Sequence, residues 1–571
     1  MRQFIIFVTC TFAIGTLSTQ LVAQNGMGKC GWLTAREREK QSDPHLFNLR
    51  QMAAEKKLQQ YLQNNRTLDT DSLYTLPLVV HVIHTGTPIG SPGNPTDADI
   101  NDMIAGLNDA WRKNGASYGG VDMKMQFQLA IRSPQCGSTN GIIRVDGSPV
   151  PNYSSGGIAI YTYPGSADEW KVKALSRWPN TDYINIWVVN KINGTGTGIG
   201  GFAYFAENNS AAGDGIVMNA YYVNGLSKTL IHEMGHVFEM YHTFYDDWDE
   251  TQCPHTDSCA WYGDRVCDTE GGKLEFFCSN TTNVCTGLPY LIADPAHNYT
   301  VLHNYMNYTD CPRMFTQGQK ERIRATLFSF RHGLTSSGGL SPPIASSPAP
   351  ACIPTADNGL SGYYGVEKLE FNDLSVYSNS SLADSATYID RSCNQRTTVV
   401  KGQSYPLTIT GSYQNPCWIK AFIDYNNDGD FDDGGENLVT TFEFDGIATA
   451  NIAIPLSGVV TGVPLRLRII AEDPSFEPTA CHLTGVPGAG QVEDYGVILA
   501  NRVVVSASSG PWNLPGTWEC NCIPQPGDEV TIKPGHTVTV TAAMGQLQCI
   551  KLKAEPGSTF NNSGTLLITG N

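Results

Sequence analysis

The stretch TLIHEMGHVFEMYHT, residues 229–243, decides how the chain around it must fold. His232 and His236 are four residues apart, so on a helix they lie one above the other on the same face. Two neutral imidazoles at this spacing can bind one Zn²⁺, while Glu233 can reach a water at the metal without being a ligand itself. The pattern therefore predicts a zinc site built on a helix, with Glu233 as general base and acid.

A third zinc ligand is expected from His242, six residues after His236. On a straight helix His242 would lie about 240° around the axis from His236, at about 100° per residue, so the chain has to turn sharply between them. A catalytic zinc takes three protein ligands and keeps a fourth position open. We therefore predict that His232, His236 and His242 bind one catalytic zinc. The alternative is an amphipathic helix with two histidines on its polar side.

The composition indicates a multidomain protein. The chain has 571 residues, too many for one hydrophobic core, and 41% of them are hydrophobic, as in ordinary globular domains. Its formal net charge of −17 argues against nucleic acid and anionic membranes as partners. The acidic surplus fits an exported protein that holds Ca²⁺, and it fits plain solubility equally well.

The N-terminal residues predict export. Arg2 and the interrupted apolar run at 4–22 are typical of a secretory signal peptide, which we expect at 1–24. No other stretch approaches about 20 unbroken apolar residues, so no transmembrane anchor is expected after signal removal. Sixteen cysteines fit an oxidising compartment, and we expect a secreted, extracellular protein, either free or associated with the cell surface.

Cys30 is the cysteine that we expect to do something other than pair. Cys10 would leave with the signal peptide, which turns the sixteen cysteines into an odd number. Cys30 precedes a charged, helix-like stretch at 35–64, and its thiolate in the fourth zinc position would keep a peptidase latent. Residues 25–72 are therefore predicted to be a pro-peptide, cleaved near 65–66. A structural disulfide at Cys30 is the alternative.

Beyond residue 73, short apolar runs alternate with helical patterns. Strands are expected at 76–84, 125–131, 183–189 and 200–205, and a helix from Asp97. This alternation predicts an α/β domain with a mixed sheet that leads into the zinc helix. The residues after the zinc helix indicate a loop-rich lobe held by disulfides, with a second zinc cluster as the alternative. The cysteines of this lobe are Cys253, Cys259, Cys267, Cys278, Cys285 and Cys311.

Five motifs, taken in chain order, resemble those of the pappalysin family of metzincin zinc endopeptidases. They are LPLVVHVIH at 76–84, NIWVVN at 185–190, GGFAYF at 200–205, HEMGHVFEMYHTF at 232–244 and HNYMNYTDC at 303–311. The resemblance covers residues 73–335 and includes the upstream Cys-Gly pair at Cys30. It implies a metzincin catalytic domain with an active-site helix and a disulfide-bonded lower lobe.

Further roles are implied by this resemblance alone. Met306 would form the Met-turn beneath the histidines, and Tyr308 would stabilise the tetrahedral intermediate. The edge strand that binds a peptide substrate as an antiparallel partner would contain Gly201, Phe202, Ala203 and Tyr204. The segment GDRVCDTE at 263–270 is similar to the calcium-binding loop of the family, and its candidate ligands are Asp264, Asp268 and Thr269.

The chain departs from the metzincin pattern at Glu239, where the family has glycine. The helix must end there in a left-handed conformation, which costs a non-glycine residue roughly 1–2 kcal/mol. If Glu239 instead continued the helix, His242 would miss the zinc. Glu239 itself, Asp246 or Asp249 would then be the third ligand. We retain His242, because the residues on either side of it follow the family pattern.

The remainder of the chain is expected to be β-structure. Residues 336–355 are rich in Ser and Pro and predict a linker. Alternating runs at 356–499 predict a β-sandwich, which resembles the bacterial modules named for a Gly-Glu-Val-Glu-Asp signature, here GQVEDY at 490–495. Residues 500–571 predict a small β module, similar to the first coils of a solenoid. The cysteines available for two bridges in the sandwich are Cys352, Cys393, Cys417 and Cys481.

The loop DYNNDGDFDDGGE at 424–436 has oxygen-bearing side chains at alternate positions, as in an EF-type calcium loop. Its candidate ligands are Asp424, Asn426, Asp428 and Asp430. An acidic turn without a metal is the alternative, because the flanks look like strands and the terminal Glu is one position late.

Together these observations predict a secreted, zinc-dependent endopeptidase with structural Ca²⁺, made as a latent zymogen, that acts on proteins and peptides. Its C-terminal β modules would bind a surface or glycan target. One alternative is an adhesion or binding protein on a catalytically impaired metzincin scaffold, and another is a zinc hydrolase of non-peptide amides.

Overall fold

The computed structural model describes residues 29–42, 44–64, 72–206, 213–255, 258–343, 347–356, 364–378, 387–411, 415–475, 477–483 and 490–569. The predicted signal peptide at 1–24 and the predicted cleavage point at 65–66 lie outside these residues.

The α-helices occur only in the N-terminal two thirds of the described residues. They are α1 (Trp32–Ser42), α2 (Pro44–Asn64), α3 (Asp97–Trp111), α4 (Tyr153–Gly156), α5 (Glu169–Lys173), α6 (Thr229–Val237) and α7 (Gln317–Phe330). Among the described residues, no helix has the length and apolar character that crossing a bilayer would require.

A mixed sheet forms the centre of the α/β domain, as predicted. Its strands are β1 (Lys29–Cys30), β2 (Tyr74–His84), β3 (Met125–Leu129), β4 (Ile142–Asp146), β5 (Ile184–Val189), β6 (Ile199–Ala203) and β7 (Ile216–Asn219). The strand order is β1-β6-β7-β5-β2-β3, and β4 also pairs with β2. Strands β6 and β7 pair antiparallel, whereas β1, from the N-terminal segment, pairs with β6 in parallel.

Helix α3 illustrates how sequence pattern becomes packing. Thr96 caps its N-terminus in a reciprocal pair of hydrogen bonds with Asp99, which ends the preceding loop sharply. The helical spacing of Ile100, Leu107 and Trp111 places all three on one buried face. This face packs against the sheet and against α6 in one hydrophobic core, and so fixes the position of the helix with the HExxH sequence.

The segment after α6 is loop-rich and has only short strands, in line with the prediction. They are β8 (Thr282–Asn283), β9 (Leu288–Pro289), β10 (Ile292–Asp294) and β11 (Tyr299–Thr300). All six cysteines of this lobe form disulfides with one another, which are Cys253–Cys285, Cys259–Cys267 and Cys278–Cys311. Their sulfurs are therefore not ligands of a second zinc.

The β-rich region that follows has two antiparallel-dominated sheets packed face to face. Its strands are β12 (Thr355–Ala356), β13 (Lys368–Phe371), β14 (Leu374–Tyr377), β15 (Tyr388–Asp390), β16 (Arg396–Val400), β17 (Ser404–Thr410), β18 (Cys417–Ile423), β19 (Asn437–Glu443), β20 (Ile447–Ala453), β21 (Pro464–Glu472), β22 (His482–Leu483) and β23 (Gly490–Ala500). Buried side chains from both sheets, such as Ile409 and Leu467, share one core.

One expectation for this sandwich was wrong. Only one of the two expected bridges lies inside the sandwich, Cys352–Cys481. Cys393 instead pairs with Cys136 of the α/β domain, 257 residues earlier.

The sandwich is therefore tied to the α/β domain, covalently and by polar contacts. Beside the Cys136–Cys393 bond, the buried guanidinium of Arg391 donates to Asp182 at 3.3 Å on the α/β side and to Glu493 at 3.0 Å within the sandwich. Arg132 of the α/β domain donates to the carbonyl oxygen of Pro342 at 2.6 Å and holds part of the predicted linker. These contacts anchor the sandwich on the α/β domain.

The C-terminal strands pair alternately into two parallel sheets. They are β24 (Val503–Val505), β25 (Gly510–Pro511), β26 (Glu529–Ile532), β27 (Thr537–Cys549), β28 (Lys551–Ala554) and β29 (Thr559–Ile568). One sheet is β24-β26-β28 and the other β25-β27-β29. Trp512 and Trp518 are buried against each other, so they belong to the core of this module. Cys520 and Cys522 form a disulfide.

Candidate metal centre and active site

Helix α6 places His232, Glu233 and His236 in the interior of the α/β domain. Every residue of this helix is buried. A side chain at Gly235 would overlap the sulfur of Met306, which packs directly beneath the helix. Met306, the predicted Met-turn residue, therefore packs against α6 at Gly235, where the two segments approach too closely for a larger side chain.

The chain reverses at Glu239, and this turn brings His242 back to α6. The helix ends at Val237, and Glu239 has φ of 64°, the left-handed conformation that glycine adopts at lower cost. The carbonyl oxygen of Glu239 accepts a hydrogen bond from Nε of Arg322 at 2.8 Å, which holds the strained residue in place. Asp246 was an alternative third zinc ligand, but its carboxylate accepts backbone hydrogen bonds within its own loop.

Three imidazole nitrogens converge on one point. The Nε2 atoms of His232, His236 and His242 are 3.1 to 3.2 Å apart. Tetrahedral zinc with Zn–N bonds of 2.0–2.1 Å would place such nitrogens about 3.3 Å apart. Cys30 Sγ lies 3.5 Å from Nε2 of His236, about the separation expected between sulfur and nitrogen ligands of one zinc. The four residues thus fit a four-coordinate zinc site.

The outer partners of the imidazoles decide which nitrogen carries the proton. Nδ1 of His232 donates to the carbonyl oxygen of Tyr305 at 2.7 Å, and Nδ1 of His236 donates to that of Met240 at 2.7 Å. Nδ1 of His242 donates to the carboxylate of Glu250 at 2.5 Å. With Nδ1 protonated, three Nε2 lone pairs face one another, an arrangement that needs a cation between them.

Burial keeps these groups in the form that binds metal. It lowers the pKa of His232 to about 3, with the neighbouring His242 acting in the same direction. Burial lowers the pKa of His236 as well, so the two imidazoles of α6 are neutral near pH 7. Burial also raises the pKa of Glu233 to about 8, while its contact with Cys30 acts in the opposite direction. A carboxylate in this environment takes up a proton readily.

Glu233 and Tyr308 lie on either side of the Cys30 backbone. Oε2 of Glu233 is 3.5 Å from Cys30 Sγ, and its Oε1 has no hydrogen-bond partner among the described residues. The hydroxyl of Tyr308 donates to the carbonyl oxygen of Cys30 at 3.4 Å. Both side chains therefore contact Cys30, and their catalytic roles stay predictions.

The predicted substrate strand is occupied by the N-terminal segment. Lys29 and Cys30 pair with β6, with Cys30 opposite Gly201, and the backbone N–H of Gly31 donates to Gly201 at 2.8 Å. Phe202, Ala203 and Tyr204 are all buried. The segment runs parallel to β6, the reverse of the antiparallel direction expected for a substrate.

The side chain of Trp32 covers the histidine cluster. Its ring stacks on His236 at 4.9 Å with an interplanar angle of 6° and meets the edge of Tyr241 at 5.7 Å. Its backbone N–H donates to Cys30 Sγ at 3.3 Å. Trp32 and Glu250 are the site residues that the sequence did not indicate. Trp32 is adjacent to the Cys-Gly pair, but nothing local marks Glu250 as a partner of His242.

The candidate calcium ligands form two separate groups, and the first is Asp264, Asp268 and Thr269. Asp264 accepts a hydrogen bond from Thr269 at 2.6 Å, while Asp268 accepts hydrogen bonds from Thr316 and from Gly318 at the start of α7. Burial raises the pKa of Asp264 to about 7. This first calcium site stays a prediction.

The second candidate is the loop between β18 and β19. Asp424 is buried and accepts backbone hydrogen bonds from Asp428 and Gly429, whereas Asn426 donates to Asp428 at 2.7 Å. The carboxylates of Asp428, Asp430 and Asp433 come within 4.8 Å of one another, a spacing that acidic residues also show without a metal. This site also stays a prediction.

Two parts of the chain match known protein families. Residues 168–328 match the peptidase M43 family, described as pregnancy-associated plasma protein-A, and residues 418–498 match the GEVED domain. An extracellular metalloprotease of Arthroderma gypseum is 25% identical over 338 residues, which cover 56% of this chain and 89% of that protein. One of Pyricularia oryzae is 26% identical over 275 residues, 46% of this chain and 78% of that protein.

Among solved structures, mature mirolysin of Tannerella forsythia in complex with a cleaved peptide is 27% identical. The match covers 46% of this chain and 99% of that chain, with a TM-score of 0.35.

Proposed function

Since the chain carries a zinc metallopeptidase domain of the pregnancy-associated plasma protein-A family at 168–328, we propose that it is a secreted endopeptidase that hydrolyses peptide bonds of extracellular proteins. One observation carries the proposal: three Nε2 atoms 3.1 to 3.2 Å apart, with the Glu233 carboxylate beside them. His232, His236 and His242 would hold zinc, which supplies the Lewis acidity that polarises a carbonyl and acidifies water.

Glu233 acts as general base and then as general acid. Its Oε2 receives a proton from the attacking water and later passes it to the leaving amine. The unsatisfied Oε1 and the burial of the whole side chain support this role, because a carboxylate that moves protons cannot be fixed by strong permanent partners. Tyr308 donates its hydroxyl hydrogen to the oxygen on which negative charge develops.

The backbone of β6 binds the substrate as an added strand. Gly201, in the predicted substrate strand from Gly201 to Tyr204, now pairs with β1, and antiparallel pairing of a substrate there would carry the scissile carbonyl past Glu233 and Tyr308. This recognition uses main-chain groups, so it suits unfolded or extended protein segments.

The decisive experiment measures metal and activity on the same preparation. The secreted chain, before and after trypsin, is assayed for bound zinc and for cleavage of casein, with phenanthroline as inhibitor. We expect one zinc per chain, and cleavage after trypsin that phenanthroline abolishes. A Glu233→Ala variant should keep its zinc and lose cleavage. Loss of zinc in that variant would contradict the assignment of Glu233 as a non-ligand.

A second candidate function is adhesion on a catalytically impaired scaffold. It is favoured by Glu239, whose left-handed backbone departs from the metzincin glycine. Zinc bound without any cleavage of unfolded protein would support it. A hydrolase of non-peptide amides would be supported instead by cleavage of small amides with no cleavage of casein.

The chain is made as a latent zymogen in which Cys30 takes the fourth zinc position. The thiol lies among the three imidazoles, β1 covers the substrate strand, and Trp32 covers His236. The domain boundaries that accompany this proposal are 1–24 for the signal peptide, 25–72 for the pro-segment, 73–335 for the peptidase, 336–355 for the linker, 356–499 for the sandwich and 500–571 for a solenoid-like module.

Calcium binds the loop between β18 and β19 as a structural ion. Support comes from Glu436, which is 2% exposed and has one carboxylate oxygen without a hydrogen-bond partner among the described residues. Calcium should raise the unfolding temperature of the chain, and Asp428→Ala should remove this effect while Asp445→Ala, in a distant turn, should not.

The sandwich and the C-terminal module attach the enzyme to a surface or glycan target.

A further inference from the structure

Glu55 of α2 lies in a buried pocket with two arginines of the peptidase domain. The two terminal nitrogens of Arg322 donate to the two oxygens of Glu55, each at 2.9 Å, and Arg265 lies 3.5 Å from the same carboxylate. The side chains of Glu55, Arg322 and Arg265 are 5%, 2% and 9% exposed. Two positioned guanidinium groups around one carboxylate recognise both charge and planar shape.

Removal of the pro-segment would take Glu55 away and leave both arginines in place. Nε of Arg322 donates to the carbonyl oxygen of Glu239 at 2.8 Å, and this bond does not involve the pro-segment. Arg265 donates to the hydroxyl of Tyr241 at 2.7 Å and lies 3.4 Å from Asp247. A buried cation that loses its carboxylate is strongly destabilised, so the vacated pocket favours another anion.

Asp247 and Asp264, two neighbouring acids of the peptidase domain, already have partners within that domain. Asp247 accepts the backbone N–H of Gly263 at 2.8 Å as well as its contact with Arg265. The carboxylate of Asp264 accepts from Thr269 at 2.6 Å and from the backbone N–H of Val266 at 3.1 Å. Neither is positioned to take over both terminal nitrogens of Arg322.

Only one side chain separates this pocket from the metal centre. The guanidinium groups of Arg322 and Arg265 lie over the ring of Tyr241, at 5.5 and 4.6 Å, and Tyr241 directly precedes His242. The same ring meets Trp32, which covers His236. The arginines therefore lie one aromatic side chain away from residues that flank the metal centre.

We propose that Arg322 and Arg265 form a carboxylate-binding subsite of the processed peptidase. Glu55 fills it in the latent chain, and an aspartate or glutamate side chain of a protein substrate fills it after processing. The proposal rests on the function proposed above. It adds a preference for acidic side chains, which neither the HExxH motif nor the backbone recognition at β6 provides.

The first test measures binding, without any turnover. The folded full chain is cleaved near 65–66 and freed of its pro-segment, and a labelled peptide of residues 44–64 is titrated against it by fluorescence anisotropy. The matched control is the same peptide with Glu55→Gln. We expect the control to bind about 10- to 100-fold more weakly. Equal binding of the two peptides, or no binding of either at about 1 mM, would overturn the proposal.

The second test uses the substrate. Cleavage sites in casein, identified by mass spectrometry, should show acidic residues enriched at one fixed position, and Arg265→Gln should reduce this enrichment. Cleavage without any such enrichment would overturn the assignment of a substrate side chain to the pocket. If the chain binds the peptide in a Glu55-dependent manner but cleaves no protein, the proposed function is wrong and the carboxylate site still stands.

Discussion

The thiol of Cys30 lies 3.5 Å from Oε2 of Glu233, so the proposed zinc-blocking residue also occupies the place where the general base would meet its water. The same sulfur is 3.5 Å from Nε2 of His236. In the proposed zymogen, one atom would thus block both the open metal position and the proton acceptor. Latency and catalysis would exclude each other for that reason.

Replacement of Cys30 by alanine should shorten the lag before activity appears. The remaining contacts of the segment, the β1–β6 pairing and the Trp32 stack, would still cover the cleft, so the lag should shorten without vanishing. The measurement is casein cleavage over time after secretion. Cys549→Ala, which removes a buried thiol in the C-terminal module, is the matched control and should leave the lag unchanged. An unchanged lag in Cys30→Ala would mean that the thiol is only structural.

Glu250→Gln should weaken zinc binding by about 10- to 100-fold, because Glu250 accepts the Nδ1–H of His242 and orients its ring. Competition with a chelator of known affinity measures the change. Asp249→Asn is the control, since the neighbouring carboxylate of Asp249 binds only Thr251 at the surface. Equal zinc affinities of Glu250→Gln and the unaltered chain would show that His242 is oriented by packing alone.

The parts of the molecule that could be predicted from the sequence are those with local periodicity. Helix α3 begins at Asp97, the residue from which the sequence predicts a helix. The apolar residues that recur at helical spacing form its buried face. The mixed sheet and the β-rich region follow from alternating runs in the same way. The approach of His242 could be predicted only in outline. It needs a left-handed turn at residue 239, and Glu239 adopts that conformation at a higher free-energy cost than glycine.

The parts that could not be predicted depend on contacts between distant residues. Cys136 and Cys393 are 257 residues apart, and no local pattern distinguishes Cys393 from the cysteine that pairs within the sandwich. Glu55 and Arg322 are 267 residues apart and look like ordinary surface charges on amphipathic helices. Burial of both partners together turns such charges into a specific site, and burial becomes visible only in three dimensions.

Gly235→Ala should destabilise the peptidase domain by about 1–3 kcal/mol, because a methyl group there overlaps the sulfur of Met306 in a packed core. The thermal unfolding midpoint measures this loss. Gly196→Ala is a suitable control, since its nearest neighbour would be the Asn190 carbonyl oxygen at 3.8 Å. Adding Met306→Ala to Gly235→Ala should recover part of the overlap energy. A Gly235→Ala chain as stable as the control would mean that α6 is free to shift.

Low pH should weaken the binding of the pro-segment to the peptidase domain, because Glu55 becomes protonated. Burial raises the pKa of Glu55, but Arg322 and Arg265 outweigh this effect and lower the pKa from 4.5 to about 2. A carboxyl whose pKa is depressed in the docked state stabilises docking fully above about pH 4.5, and this contribution, roughly 3 kcal/mol, is lost as the pH falls toward 2. Release of the pro-segment from the nicked chain, followed by size-exclusion chromatography from pH 6 to pH 2, should therefore increase steeply in this window. Glu55→Gln should release its pro-segment more readily at pH 6 and depend less on pH below 4.5. If the two chains show the same pH profile, the Glu55–Arg322 pair does not hold the segment.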